Sequence, residues 1–199
     1  MIVLSSPLSI QNEIAVIHQL FEAGLELFHI RKPHMTQLEL QYYIGQIREQ
    51  YHSKIAVHQH FETAMEFNIH RLHFTEKNKE DFEYIRAVLP IRTDWVFSAS
   101  THSIEGFNAL PVSFQYAFLS PIFESISKPG YKSSEDILKT LKRRNNFQTR
   151  LVGLGGIDSS NCEQLYQSGF DDVALLGALW NTAKPVEEFK KCLRKEHHD

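Results

Sequence analysis

The sequence predicts a single-domain α/β protein, a (β/α)8 barrel, and three observations carry that expectation. Short apolar runs alternate with amphipathic stretches eight times along the 199 residues, a spacing of roughly 25 residues per unit. Two late runs, Leu151-Val152-Gly153-Leu154-Gly155-Gly156 and Val173-Ala174-Leu175-Leu176-Gly177-Ala178, are apolar and stop at glycine. Such runs read as strands buried on both faces. The first run, Ile2-Val3-Leu4, passes into Ser5-Ser6-Pro7 without a glycine-rich turn. That disfavours a doubly wound open sheet, whose nucleotide fingerprint opens at the first strand.

After Ile2-Val3-Leu4, the spacing of Ile14, Ile17 and Phe21 predicts a helix from Ser9 to Ala23, closed by Gly24. Leu25 to Ile30 is the second strand. Thr36 caps a helix whose apolar face runs Leu40, Tyr43, Ile44 and Ile47. Lys54 to Val57 and Arg71 to Phe74 are the third and fourth strands, with helical patterns at Glu62 to Phe67 and Asp81 to Val88; Pro90 stops the latter. Trp95-Val96-Phe97 begins the fifth strand, and Ser103 caps a short helix. Gln115 to Leu119 is the sixth strand, followed by a long polar loop through Tyr131 of the kind that carries function. A helix starts at Ser134. The seventh strand ends at Gly155-Gly156, where Asp158, Ser159 and Ser160 all suit the cap of a helix reaching Ser168. The eighth strand begins near Asp172, and Pro185 opens a last helix through Cys192.

Composition narrows the function classes. A formal net charge of −3 and a pI near 6.4 argue against a general nucleic-acid binder. No apolar run approaches the length of a membrane span. The start of the chain lacks the basic opening of a signal peptide, and Cys162 and Cys192 fall in helices, which suggests reduced thiols in a cytoplasmic protein. A homo-oligomer is compatible with the sequence.

In a (β/α)8 barrel, function collects at the carboxyl ends of the strands. Those ends carry Arg31 and Lys32, then His58, Gln59 and His60, then His73, Thr75 and Glu76. Ser100, His102, Ser125, Ser127, Lys128, Gly155, Gly156 and Gly177 complete the rim. The rim is basic and rich in hydroxyls, which suits a phosphorylated ligand. Glycines ending two adjacent strands expose backbone N–H groups, and the phosphate site of such barrels commonly lies after strands seven and eight. His58, His60 and His73 raise the question of a metal site, but no spacing matches a strong zinc signature; pocket lining is the plainer expectation.

These strand ends resemble a known family. His29-Ile30-Arg31-Lys32-Pro33, Ser98-Ala99-Ser100-Thr101-His102, the segment from Ser120 to Lys128, Val152 to Ile157 and Val173 to Ala178 match, in order, the thiamine phosphate synthase/TenI family of barrels. The synthase branch joins hydroxymethylpyrimidine diphosphate to a thiazole phosphate with Mg2+ and releases diphosphate. The resemblance implies Arg31, Ser100 and Lys128 as catalytic residues at the pyrimidine diphosphate. It implies Ser125, Ser127 and the N–H groups of Gly155, Gly156, Gly177 and Ala178 around the thiazole phosphate, with His29, His58, His73 and His102 lining the pocket. His29 and Pro33 stand where the family has glutamine and lysine, and Gln59 and Asn78 where it has magnesium-binding aspartates. Glu76 is left as the candidate Mg2+ ligand. Neutral amides bind Mg2+ poorly, so the resemblance implies a transferase of weakened activity. Two other readings are compatible with it. One is a TenI-type isomerase, with Pro121 at the position of its loop histidine; the other is a non-catalytic binder of thiazole or thiamine phosphate.

Overall fold

The computed structural model describes residues 1–90, 93–124 and 137–193. Eight parallel strands close into a TIM-type barrel in sequence order. They are β1 (Ile2–Leu4), β2 (Leu27–Ile30), β3 (Ile55–Val57), β4 (Arg71–Phe74), β5 (Val96–Thr101), β6 (Phe114–Leu119), β7 (Arg150–Leu154) and β8 (Asp172–Leu175). The ring closes where β1 pairs with β8, Ile2 opposite Ala174 and Val3 opposite Leu175. Around it lie α1 (Glu13–Glu22), α2 (Gln37–Gly45), α3 (Phe61–Glu66), α4 (Phe82–Val88), α5 (Ile104–Asn108), α6 (Ile137–Thr140), α7 (Cys162–Gln167), α8 (Gly177–Trp180) and α9 (Pro185–Cys192).

Strand alternation sends successive side chains to opposite faces. Outward residues such as Phe28, Ile30, Phe74 and Val173 pack under the helices in the larger core. Inward residues fill the barrel, and the filling is lopsided. The lumen side of β1, β6, β7 and β8 is mainly apolar, with Ile2, Leu4, Tyr116, Phe118, Val152 and Ala174. On β2, β4 and β5 the buried inward positions are His29, His73 and Ser98. At the amino end, Asp172 accepts the chain's terminal ammonium at 3.1 Å and Arg150 at 3.3 Å. The carboxyl end is the one left to function.

Helix starts obey local chemistry. Thr36 and Glu39 form the expected capping box, the Glu39 amide donating to Thr36 Oγ1 at 3.3 Å and the Thr36 amide to Glu39 Oε2 at 2.7 Å. Ser103 Oγ accepts the Gly106 amide at 3.1 Å. Two starts differ from expectation. The first helix begins at Glu13, after Asn12 in a left-handed conformation with φ 61°, because Glu13 turns inward to meet Lys32. The seventh begins at Cys162, because Asp158 Oδ1 accepts the Ser160 amide at 2.8 Å and its hydroxyl at 2.6 Å. That local turn competes with the helix. The expected helix start at Ser134 lies outside the described residues. α8, a single turn, escaped the sequence pattern altogether.

Lys32 is the main correction at the rim. Its ammonium is 3% exposed and bonds Glu13 Oε2 at 2.5 Å and the Leu8 carbonyl at 3.1 Å. Glu13 also accepts the Ser6 amide at 3.1 Å. The pair staples the β1 loop to the end of β2, so Lys32 is structural and unavailable to a ligand. Removing one partner strands a buried charge, at a cost of about 3–5 kcal/mol. Glu13→Ala is therefore expected to lower unfolding free energy by about that amount in urea titration, whereas Glu13→Ala with Lys32→Met recovers most of it. A loss below about 1 kcal/mol for Glu13→Ala would show that the pair is dispensable.

Candidate active site at the carboxyl ends of the strands

The polar side of the lumen builds the site from below. His29 is fully buried and spans the barrel: its Nε2 meets Tyr116 Oη at 2.7 Å and its Nδ1 meets His58 Nε2 at 2.9 Å. His73, also fully buried, lies against His58, ring centroids 4.1 Å apart. Its Nδ1 is 2.9 Å from Ser98 Oγ and its Nε2 is 2.8 Å from Ser100 Oγ. Ser100 is only partly buried, at the mouth. The structure thus gathers His29, His58, His73 and Ser100 into one network, with the Nδ1 of His58 buried and unpartnered among the described residues.

Burial keeps these imidazoles neutral. It drives His29 and His58 well below the usual histidine range. His73 is pulled down to about 3, first by burial and then by the positive charge of Arg31. The same guanidinium also acts on His58. Arg31 comes directly after β2, half-buried, its amide fixed by Ser5 Oγ at 2.8 Å. Its guanidinium has no ion-pair partner among the described residues. A cation of this kind, near neutral imidazoles, is suited to receive an anion.

Not every rim histidine joins. His60 lies beyond the strand in a left-handed conformation, φ 52°, with Nε2 on the Met35 carbonyl at 3.0 Å. It does not point with His58, because β3 has already ended at Val57. His102 is exposed, its Nδ1 on the Ser120 carbonyl at 2.7 Å. Ser125, Ser127 and Lys128 lie outside the described residues.

At β7 the turn is tighter than the sequence suggested. Gly155 (φ +102°) and Gly156 (φ +66°) both need glycine's freedom. A β-carbon on Gly156 would stand 2.4 Å from the Glu124 carbonyl oxygen, and one on Gly155 would stand 2.9 Å from Pro121 Cα. The space is thus filled by the loop after β6, whose Ile122 and Phe123 amides bond the Leu154 and Gly155 carbonyls at 3.0 Å. Asn161 braces the turn, its Nδ2 donating to the Gly156 carbonyl at 2.9 Å; no local sequence signal marks it for that role. Among the described residues, none accepts the N–H groups of Gly155, Gly156, Gly177 or Ala178. Trp180 ties α8 to the Leu4 carbonyl at 2.7 Å.

The magnesium expected from the resemblance does not fit the residues present. Gln59 Nε2 donates to the Lys32 and Met35 carbonyls at 2.8 and 3.2 Å. Asn78 Oδ1 accepts the Thr75 hydroxyl at 3.0 Å. Glu76 is exposed and paired with Lys79 at 3.1 Å, so its charge is already answered. Mg2+ asks for carboxylate oxygens in octahedral array, and this set offers neutral amides already engaged with backbone carbonyls at Gln59 and with the Thr75 hydroxyl at Asn78.

Gly156→Ala is expected to destabilise the fold by on the order of 3 kcal/mol, from left-handed strain plus overpacking against the β6 loop. Thermal or urea unfolding checks it, and an unchanged midpoint would mean that the loop yields freely.

The chain is similar to proteins of one family. A family model described as "Thiamine monophosphate synthase" matches residues 1–179. A thiamine-phosphate synthase of Prochlorococcus marinus is 27% identical over 192 residues, covering 94% of this chain, while the chain spans 54% of that relative's length. Thiamine-phosphate synthase 1 of Streptococcus pneumoniae strain R6 is 24% identical over 191 residues, covering 89% of this chain and 87% of the relative. The crystal structure of thiamine phosphate pyrophosphorylase from Bacteroides thetaiotaomicron superposes with a TM-score of 0.75 at 29% identity, covering 96% of this chain and 94% of that one. With a match from the first strand through the last, this chain belongs to the thiamine monophosphate synthase family.

Proposed function

We propose that this chain is a thiamine phosphate synthase acting at the carboxyl mouth of its barrel, with a pyrimidine diphosphate and a thiazole phosphate as substrates. The observation that carries the reading is the Arg31 guanidinium, without an ion-pair partner among the described residues and acting on His73, which holds Ser100, in a chain that the family model matches over residues 1–179. In the reaction the pyrimidine methylene carbon–oxygen bond breaks, and both electrons leave with diphosphate. The thiazole nitrogen lone pair then forms the new carbon–nitrogen bond. The barrier falls to the extent that fixed donors meet the charge growing on the leaving oxygen.

Arg31 supplies charge and paired N–H groups to the diphosphate. Ser100, held by His73 Nε2, adds its hydroxyl. Lys128 would add a second cation, with Ser125, Ser127 and the N–H groups of Gly155, Gly156, Gly177 and Ala178 taking the thiazole phosphate. Holding both reactants together removes most of the entropy of their encounter. No step runs through a resident metal ion. The buried free thiols of Cys162 and Cys192 favour a reducing, cytoplasmic setting. Among the described residues, no helix is long and apolar enough to cross a membrane.

The test is synthesis from both phosphorylated substrates, with and without Mg2+. Turnover is expected below the common enzyme range of about 1–10³ s⁻¹, because the usual carboxylates are replaced. Arg31→Ala is expected to cut kcat/KM by about 10²–10³. Binding of thiazole phosphate without product would favour the non-catalytic reading instead. Full activity in Arg31→Ala would move the site elsewhere.

A further inference from the structure

His29, His58 and His73 form a cluster from which the transferase reading draws only the His73 contact to Ser100. One ring nitrogen from each lies within 4.8 Å of the others. Their ring centroids are separated by 5.1, 5.2 and 4.1 Å. We propose that these three side chains are a binding site for one late first-row transition ion, with Zn2+ as the reference case.

A tetrahedral ion with Zn–N of about 2.0–2.1 Å sets its ligand nitrogens roughly 3.4 Å apart. His29 Nδ1 and His58 Nε2 are 2.9 Å apart and the remaining separations stay within 4.8 Å, so ring adjustments of about an ångström complete the set. Outer contacts are already in place. Tyr116 Oη holds His29 Nε2 at 2.7 Å and Ser98 Oγ holds His73 Nδ1 at 2.9 Å. This leaves His29 Nδ1 and His73 Nε2 as the inner atoms. Such outer-shell partners fix which nitrogen of a ligating histidine keeps its lone pair.

His58 completes the set. Its Nε2 already faces His29 Nδ1 at 2.9 Å, and its Nδ1, buried with no partner among the described residues, is the nitrogen that carries the ring's proton once the ion is bound. On binding, the His29–His58 hydrogen bond and the His73 Nε2 contact to Ser100 give way to three metal–nitrogen bonds. The proton held between His29 Nδ1 and His58 Nε2 shifts to the outward nitrogen of its own ring, so each ring stays neutral with one proton, none is released and no electron moves. The fourth position falls toward Ser100, whose Oγ is 2.8 Å from His73 Nε2, and suits water or a hydroxyl. An all-imidazole set with no carboxylate in it selects zinc, copper, nickel or cobalt over magnesium and calcium. The site is therefore separate in chemistry from the family's metal expectation, and it stands whether or not the transferase reading holds.

The full-length protein, stripped with chelator, is titrated with Co2+ as a coloured stand-in, and Zn2+ is then added. One equivalent of Co2+ is expected to give the visible bands of a four-coordinate ion, bleached when Zn2+ displaces it. His58→Asn and His73→Asn are each expected to weaken binding at least 100-fold, with folding checked by circular dichroism. His34→Ala, and His197→Ala combined with His198→Ala, are expected to retain it, which excludes the surface and the tail. Should both network variants fail to fold, histidine ring ¹⁵N spectra of the unaltered protein decide the question. Zn2+ must then shift the signals of three buried rings and leave the exposed ones in place. Less than one equivalent, a faint six-coordinate spectrum, or binding that survives in both folded network variants would overturn the proposal.

Discussion

The structure depends on the two hydrogen bonds by which His29 crosses the barrel, to Tyr116 on one side and His58 on the other. A polar ring placed deep in a lumen costs several kcal/mol unless its nitrogens are satisfied. Here the cost is met by placing further polar groups on the same side, so the lumen is divided between a mainly apolar half and a hydrogen-bonded half. The second half rises through His73 to Ser100, and it is what gives the mouth a hydroxyl at a fixed position. Because burial keeps every imidazole in it neutral, none of them carries a charge of its own, and Arg31 has no ion-pair partner among the described residues. An apolar lumen would have left the mouth as a lid over a core.

The β7 and β8 side of the mouth is organised by close packing. Gly155 and Gly156 let the turn after β7 press against the backbone from Pro121 to Glu124, and the Ile122 and Phe123 amides extend pairing past the end of the sheet. The loop after β6 therefore starts from a rigid base, and among the described residues no group accepts the N–H groups of Gly155, Gly156, Gly177 and Ala178. Asn161 and Trp180 hold the two strand ends from behind. Backbone pairing and side-chain braces thus fix both strand ends at this side of the mouth.

Much of the architecture was legible because it is written locally. Strands buried on both faces must be apolar runs, so β1 and β4 fall on the residues expected, and Pro185 opens α9 where its fixed φ suits a first turn. Thr36 with Glu39 is likewise a local signal. What was not legible depends on distance. Nothing in the sequence says that Glu13 folds back on Lys32, so a buried structural lysine looked like a rim cation. His29, His58 and His73 meet through the register of three strands, and His60 drops out because β3 ends one residue before His58 and the chain then turns. Asp158 looked like a helix cap and instead closes its own turn. In each case a long-range contact or a competing local bond overruled a short-range preference.

The charge left open at Arg31, with the hydroxyl of Ser100, is where the diphosphate is expected to sit. A crystal structure of the protein with inorganic diphosphate tests this most directly. Diphosphate oxygens should lie within hydrogen-bond distance of the Arg31 guanidinium and of Ser100 Oγ, with the His73–Ser100 contact kept. Diphosphate bound elsewhere, or a mouth in which Arg31 turns away to solvent, would contradict it.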